Sequence, residues 1–457
     1  MNPDRSTAPR SVLFLAVAVA LGGCAITPSS SERQAQTQVK EVGDLLRPSG
    51  AKPTLPVLTP DTPIPNYMLY GVLNHPRVEA AYHEWRASVA AIAPARALPD
   101  PQLTFEADVA DMLMTLMPGI MFDFMMPGKR SAMAEEFASV SSVAYRTYAI
   151  AVLETAAEVR RAWLELAYLD EALRLRGNVL EALDQAAAMA NADYTTGRGM
   201  GTLETQVRLA NEAGKARSEL ATLEDRRIGF RVRFKSALGL KFSDPDPTWP
   251  QAPLTSTMLP SENEIWRRAE AANPELRRMR AMVDMAIAGV AVANKAGTPD
   301  FTVGVMADLK ANPLMIRPTA TMTLPIWREK IRANIAAAEA RRDAAAARVS
   351  AEQLNLAAEL AQMLSMVRES DRMIAYIDGT ALPNYERAIA SIEAGYQSGM
   401  TGPGMIPETR AMALTMRLER AAALRDRENA VTSLLLMTAD LVPARAPLVT
   451  ETTTPER

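Results

Sequence analysis

The side chains able to do chemistry in this chain are few and unevenly placed. One of 457 residues is cysteine, Cys24, and two are histidine, His75 and His83. Two histidines near one end give little material for a zinc site or a histidine-dependent triad. The sequence has no nucleophile elbow, no metal-ligand spacing and no glycine-rich phosphate loop. The expectation is a protein that is not an enzyme and carries no cofactor. A net charge of -3 offers no basic surface for nucleic acid. Methionine is the exception, at 26 residues, with Met112, Met114, Met117, Met121, Met125, Met126 and Met133 close together. Thioethers are soft ligands that suit Cu(I). They are also flexible apolar filler, so no metal site is assigned firmly.

Cys24 follows Leu21-Gly22-Gly23. Arg5 and Arg10 precede an apolar run from Val12 to Leu21 that is too short to span a membrane comfortably. Small residues before a cysteine resemble the lipobox of bacterial lipoproteins. That resemblance implies a signal peptide over residues 1–23, cleavage before Cys24 and lipidation there. Ala25, rather than Asp, then favours the outer membrane. The other reading is an ordinary signal peptide beside a small buried cysteine. With no second cysteine there is no disulfide framework.

The elements that position other residues appear twice. Asn74-His75-Pro76 returns as Asn273-Pro274. Leu98-Pro99-Asp100 returns as Thr298-Pro299-Asp300. Met126-Pro127-Gly128-Lys129-Arg130 returns as Leu324-Pro325-Ile326-Trp327-Arg328. Tyr194-Thr195-Thr196-Gly197 returns as Tyr396-Gln397-Ser398-Gly399. The offsets are 198, 200, 198 and 202. Four landmarks in one order argue for a duplicated unit.

Each unit opens with a helix, Pro76 to about Arg96 and Pro274 to about Lys295, with proline in the first turn. Two alternating segments follow. Leu103, Phe105, Ala107 and Val109 alternate with polar neighbours, and Ile120, Phe122, Phe124 and Met126 alternate with Met121, Asp123 and Met125. In the second unit Phe301, Val303, Val305 and Ala307 alternate with Thr302, Gly304, Met306 and Asp308; Ala320, Met322 and Leu324 do so with Thr319, Thr321 and Thr323. Period two with one apolar face fits a transmembrane strand, and equally a half-buried soluble hairpin. No stretch after the signal is long and apolar enough for a spanning helix, so any crossing falls to strands.

After each pair the period becomes helical. Val152, Ala156, Val159, Trp163, Leu166 and Leu173 form one stripe, predicting a coiled-coil-like helix from Gly128 to about Thr195. Gly197-Arg198-Gly199-Met200-Gly201 breaks it, and a helix returns from Thr202 to about Leu238. The second unit repeats this from Ile326 to Tyr396, with a turn at Gly399 to Gly404 and a return to about Leu441. The predicted organisation is a signal (1–23), a lipidated leader (24–73), a first repeat (74–242), a Pro-rich linker (243–262), a second repeat (263–441) and a tail (442–457). Residues 34–65 show no packing pattern. The fold class is mainly α: long coiled-coil-like helical hairpins with two β-hairpins per chain.

Taken together, these features resemble the TolC family of outer-membrane efflux proteins. The segments that carry the resemblance are Ala97-Leu98-Pro99-Asp100-Pro101-Gln102-Leu103, Met126-Pro127-Gly128-Lys129-Arg130 and Val159-Arg160-Arg161-Ala162-Trp163-Leu164-Glu165-Leu166-Ala167-Tyr168. The resemblance implies a homotrimer in which three copies of four strands close a twelve-stranded barrel in outer-membrane lipid, the helices forming a periplasmic conduit. It implies a periplasmic adaptor (a membrane fusion protein) and an inner-membrane pump of the RND type as partners. It places adaptor contacts at the helix-turn tips, here Gly197, Arg198, Gly199, Gly399, Met400 and Gly402. It places acidic gate residues just past the tips, where Glu408 and Glu204 stand. Such acids are also ordinary helix-start residues. Gly402-Pro403-Gly404 and Pro407 depart from the family's tip.

On the alternation, Met121, Asp123, Met125 and Met306 share the polar face, where they offer soft-metal contacts along a lumen. Two cargoes remain open: drugs or other small molecules, and Cu(I) or Ag(I). The rival class is a lipid-anchored periplasmic coiled coil or adaptor without a pore. Alternating segments at matched places in both repeats are what a pure coiled coil would not need.

Overall fold

The computed structural model describes residues 27–110, 113–196, 202–251, 253–309, 314–398, 400–402 and 404–449. The first repeat runs α1 (Ser30–Leu46), α2 (Ile64–Asn74), α3 (Pro76–Ala90), α4 (Ile92–Arg96), β1 (Gln102–Ala110), β2 (Leu113–Phe124), α5 (Pro127–Thr196) and α6 (Leu203–Ala237). The second runs α7 (Glu262–Ala272), α8 (Pro274–Asn294), β3 (Phe301–Asp308), β4 (Met315–Met322), α9 (Arg328–Tyr376), α10 (Leu382–Gln397) and α11 (Met405–Met437). The fold is mainly α with one small antiparallel sheet, the predicted class. Among the described residues no helix is long and apolar enough to cross a membrane.

In the first repeat the duplication reaches one helix further back than residue 74; the second, opened at 263, already takes in the matching helix. α2 and α7 have 11 residues each and start 198 apart. Both precede the Asn-Pro landmark, and that landmark now has a physical explanation. Asn74 Nδ2 donates to the carbonyl of Leu238 at 3.0 Å, at the end of α6. Asn273 Nδ2 donates to the carbonyl of Met437 at 3.3 Å, at the end of α11, while its Oδ1 accepts from the Leu276 amide at 2.9 Å. Each asparagine ties the start of its repeat to the end of the same repeat, satisfying carbonyls that a helix end leaves orphaned.

Residues 34–65, expected to be unpacked, are not. Ala35, Val42 and Leu46 of α1 are buried, and Tyr82 donates to the carbonyl of Val39. Glu32 is fully buried and accepts from Arg96 Nε at 2.9 Å. The stripe Ala35, Val39, Val42 and Leu46 has helical spacing but is thin among Gln, Lys and Thr, which hid it.

The chain divides into two compact units. The first draws on residues 27–42, 82–147 and 278–350 and holds the sheet. Trp85 is buried there, 4.9 Å between ring centroids from Tyr145 of α5. The second draws on residues 43–81, 148–277 and 351–449 and is helical. One of its cores joins Ile265, Leu276, Leu356, Leu360, Leu364 and Val431. Another joins Val179, Leu183, Ala186, Leu209, Ala213 and Ala411, bringing α5, α6 and α11 together. Small alanines let these helices approach closely.

Two predicted bounds need correction. β2 begins at Leu113 and ends at Phe124, so Met125 and Met126 lie past the strand; β4 likewise ends before Leu324. Pro127 and Pro325 follow, and proline cannot donate to a ladder. The helix expected to run unbroken from Ile326 to Tyr396 is interrupted by a single π turn at Ile377–Ala381. Pro383 explains it: it lacks an N–H and its ring crowds the carbonyl one turn back, so the ladder widens locally.

Candidate functional site

The four strands form one sheet in the order β1-β2-β3-β4, antiparallel throughout. Register fixes which residues share a face. Leu103 pairs with Ile120, Phe122 with Val303, and Val303 with Ala320. Leu103, Phe105, Ile120, Val303 and Val305 are all exposed on this face. An exposed apolar band of this kind is costly in water and suited to lipid.

The opposite face is polar. Gln102, Met121, Gly304 and Thr319 stand at one level, and Asp123, Thr302 and Thr321 at the next. Asp123 is held by two neighbours: Gln102 Nε2 donates to it at 3.1 Å and Thr302 Oγ1 at 2.5 Å. Met121 lies across Gly304, and Met306 lies across Gly119. A Cβ on Gly304 would stand 2.8 Å from Met121 Cγ, and one on Gly119 would stand 2.7 Å from Met306 Cγ. The two glycines seat two thioether side chains on the polar face. Met125 is not among them, because the strand has ended.

β1 and β4 are the edges of this sheet. In lipid, unpaired edge amides and carbonyls cost several kcal/mol each (roughly), so the edges must be closed.

The helix tips lie in the second unit. Gly197, Arg198, Gly199 and Gly399 fall outside the described residues, as does Cys24. Met400 is exposed, and its amide donates to the Gly395 carbonyl at 2.8 Å. Thr401 Oγ1 donates to the Ile392 carbonyl at 3.0 Å, folding the turn back on α10. A Cβ on Gly402 would stand 3.9 Å from Asp193 Oδ2 of α5. Thr202 caps α6 by accepting from the Thr205 amide at 3.2 Å.

The two gate candidates differ. Glu204 is exposed in the first turn of α6. Glu408, in the first turn of α11, accepts from Arg208 Nη1 at 2.7 Å. That hydrogen bond raises the Arg208 guanidinium above its ordinary value. The pair joins the starts of the two returning helices. Sequence reasoning missed Arg208, since nothing local says which of several arginines reaches across.

Residues 265–439 match the family described as outer membrane efflux protein. The matched stretch lies within the second repeat. Among the solved structures that share its fold are three channels. The outer-membrane channel OprN matches with a TM-score of 0.70 and 14% identity over 84% of this chain and 91% of that one. CusC matches at 0.68 and 14% over 84% and 93%, and VceC of Vibrio cholerae at 0.65 and 16% over 83% and 96%. At these identities the likeness is one of fold. No curated protein sequence matches the chain. A fold shared with outer-membrane channels disfavours the poreless coiled coil.

Proposed function

We propose that this chain is the outer-membrane channel of a tripartite efflux pump and conducts passively. Three copies close their twelve strands into one barrel, with the apolar face toward lipid and the Asp123 face toward the lumen. Cys24 carries the lipid anchor. The observation behind this reading is the single sheet with an apolar outer band and two open edges. Such a sheet is stable in a bilayer only when another copy covers each edge.

The tips are the entrance, and a periplasmic adaptor docks there, fed by an inner-membrane pump of the RND type. Removing residues 399–404 should abolish pump-dependent export while the trimer stays in the membrane. Loss of the trimer itself would contradict the tip assignment. At the entrance Arg208 neutralises Glu408 and ties the two returning helices together, while the carboxylate of Glu204 attracts cations. Glu408→Gln should therefore raise resting leak and lower cation preference; unchanged conductance and selectivity would sink the gate.

The cargo is a small molecule that needs no chemistry from the wall. Met121 and Met306, seated together on the lumen face, favour a second reading in which soft cations pass. Ag(I) should then slow or block single-channel current, and Met121→Leu with Met306→Leu should abolish the effect. Identical Ag(I) responses in the two proteins would remove the metal reading.

A further inference from the structure

The first unit contains one seam between the two β-hairpins, where β2 meets β3. Besides the ladder, an ion pair closes it: Lys129 Nζ lies 2.5 Å from Asp300 Oδ2. Lys129 stands at the start of the helix that follows β2, and Asp300 stands just before β3. Because the chain is duplicated, the aspartate position recurs on one open edge and the start of the following helix recurs on the other. Pro99-Asp100 just before β1 repeats Pro299-Asp300, and the start of α9 after β4 repeats the start of α5. When Pro127 and Pro325 are aligned, Trp327 stands at the place of Lys129, and Arg328, which repeats Arg130, is the first cation on that edge.

Asp100 and Arg328 are both exposed, and neither makes a side-chain ion pair among the described residues. Leu324, Ile326 and Trp327 around the start of α9 are exposed as well, an apolar rim awaiting cover. We infer that Asp100 of one copy pairs with Arg328 of the next, closing the β4–β1 seam between copies as Lys129–Asp300 closes the β2–β3 seam within one. This rests on the trimeric reading above. The longer, forked guanidinium suits a carboxylate at a slightly shifted position, since it can donate two parallel hydrogen bonds. One duplicated phrase thus serves two interfaces, one inside the chain and one between chains.

The test uses the full-length lipidated protein, whose one native cysteine is Cys24. Asp100→Cys with Arg328→Cys is treated with a short bis-maleimide in detergent, and native mass is measured on the same sample. The expected result is covalent dimer and trimer on a denaturing gel from the double variant and from neither single variant. Lys129→Cys with Asp300→Cys should give only a faster-migrating monomer, since that link is internal. A trimeric native mass with no covalent dimer would overturn the ion pair and leave the channel reading standing. So would dimer formed by Asp100→Cys with Lys330→Cys but not with Arg328→Cys. A monomeric native mass would overturn both. As a charge test, Asp100→Arg should lower the temperature at which the trimer dissociates, and adding Arg328→Asp should restore it; no restoration would also count against the pair.

Discussion

The two repeats share an element order and differ in what surrounds each element. In the first repeat, Arg227 of α6 lies 3.7 Å from Asp170 at the surface, and the next residue, Ile228, is exposed. In the second, Arg427 of α11 lies 2.6 Å from Asp371, Arg427 is buried, and the next residue is Glu428, which is 1% exposed. The arginine–aspartate pair is duplicated; the burial is not. Glu428 also accepts from Arg160 at 3.0 Å and from the Thr257 amide and hydroxyl at 2.9 and 2.6 Å. It fastens the Pro-rich linker to the helices. The same ancestral geometry became a surface pair in one copy and the centre of a buried network in the other. Context decides what a duplicated residue contributes.

The largest expected effect tests that contrast. Glu428→Ala leaves two arginines facing a buried gap and should cost about 3–5 kcal/mol in urea denaturation. Ile228→Ala at the matching position should cost under about 0.5 kcal/mol. Equal costs would mean that the network is not what distinguishes the repeats.

Next come the two helix ends. Gly239 (φ +73°) and Ala439 (φ +58°) are matched residues in the left-handed region. Each closes its helix in the same way: the following amide reaches back to Lys235 O in one and Leu435 O in the other, at 2.9 Å in both. Gly239→Ala should cost about 1–3 kcal/mol, because its Cβ would meet the backbone of Asn74 and His75 at 2.8 to 3.0 Å. Ala439→Gly should gain up to about 1 kcal/mol by relieving the strain of an L-residue there. A loss at Ala439→Gly would show that the two ends are not equivalent.

A smaller effect concerns the long helices. α5 runs unbroken through 70 residues, whereas α9 and α10 flank the π turn. Pro383→Ala should let the turn regularise, slowing amide exchange at 377–381 with a stability change under about 1 kcal/mol. Unchanged exchange would assign the bulge to tertiary packing, for instance the Arg420–Asp378 pair at 2.6 Å.

The smallest effect is a pH dependence that one repeat has and the other lacks. His75 stands between Asn74 and Pro76, where the second repeat passes directly from Asn273 to Pro274. Burial, with help from Arg77, lowers the His75 pKa below 6.5. The unfolded chain then binds the proton more readily, so stability present above pH 6.5 falls as pH drops through the lowered folded value. His75→Asn should flatten that part of the stability curve; an unchanged curve would place the titration elsewhere.

Much of this was legible in the sequence because it is written locally and twice. Period-two alternation gave the strands and their faces, and repeated Pro and Gly marked where helices start and turn, though not where β2 and β4 end. Pro383 was visible too, yet a lone proline in a strong helical pattern does not say whether the helix stops, kinks or bulges. α1 was hidden because one alanine, two valines and one leucine spaced among polar residues carry a weak signal. The Glu428 network and the Arg208–Glu408 pair were illegible for a different reason. Each joins residues more than 160 positions apart, and no local pattern selects one partner from fifty basic residues.

The most direct measurement of the central claim is planar-bilayer conductance of the lipidated protein, with native mass taken from the same detergent sample. A trimeric mass with small, cation-preferring current is the predicted result. A monomeric mass with no current would contradict it, and with it the lumen assigned to Met121, Asp123 and Met306.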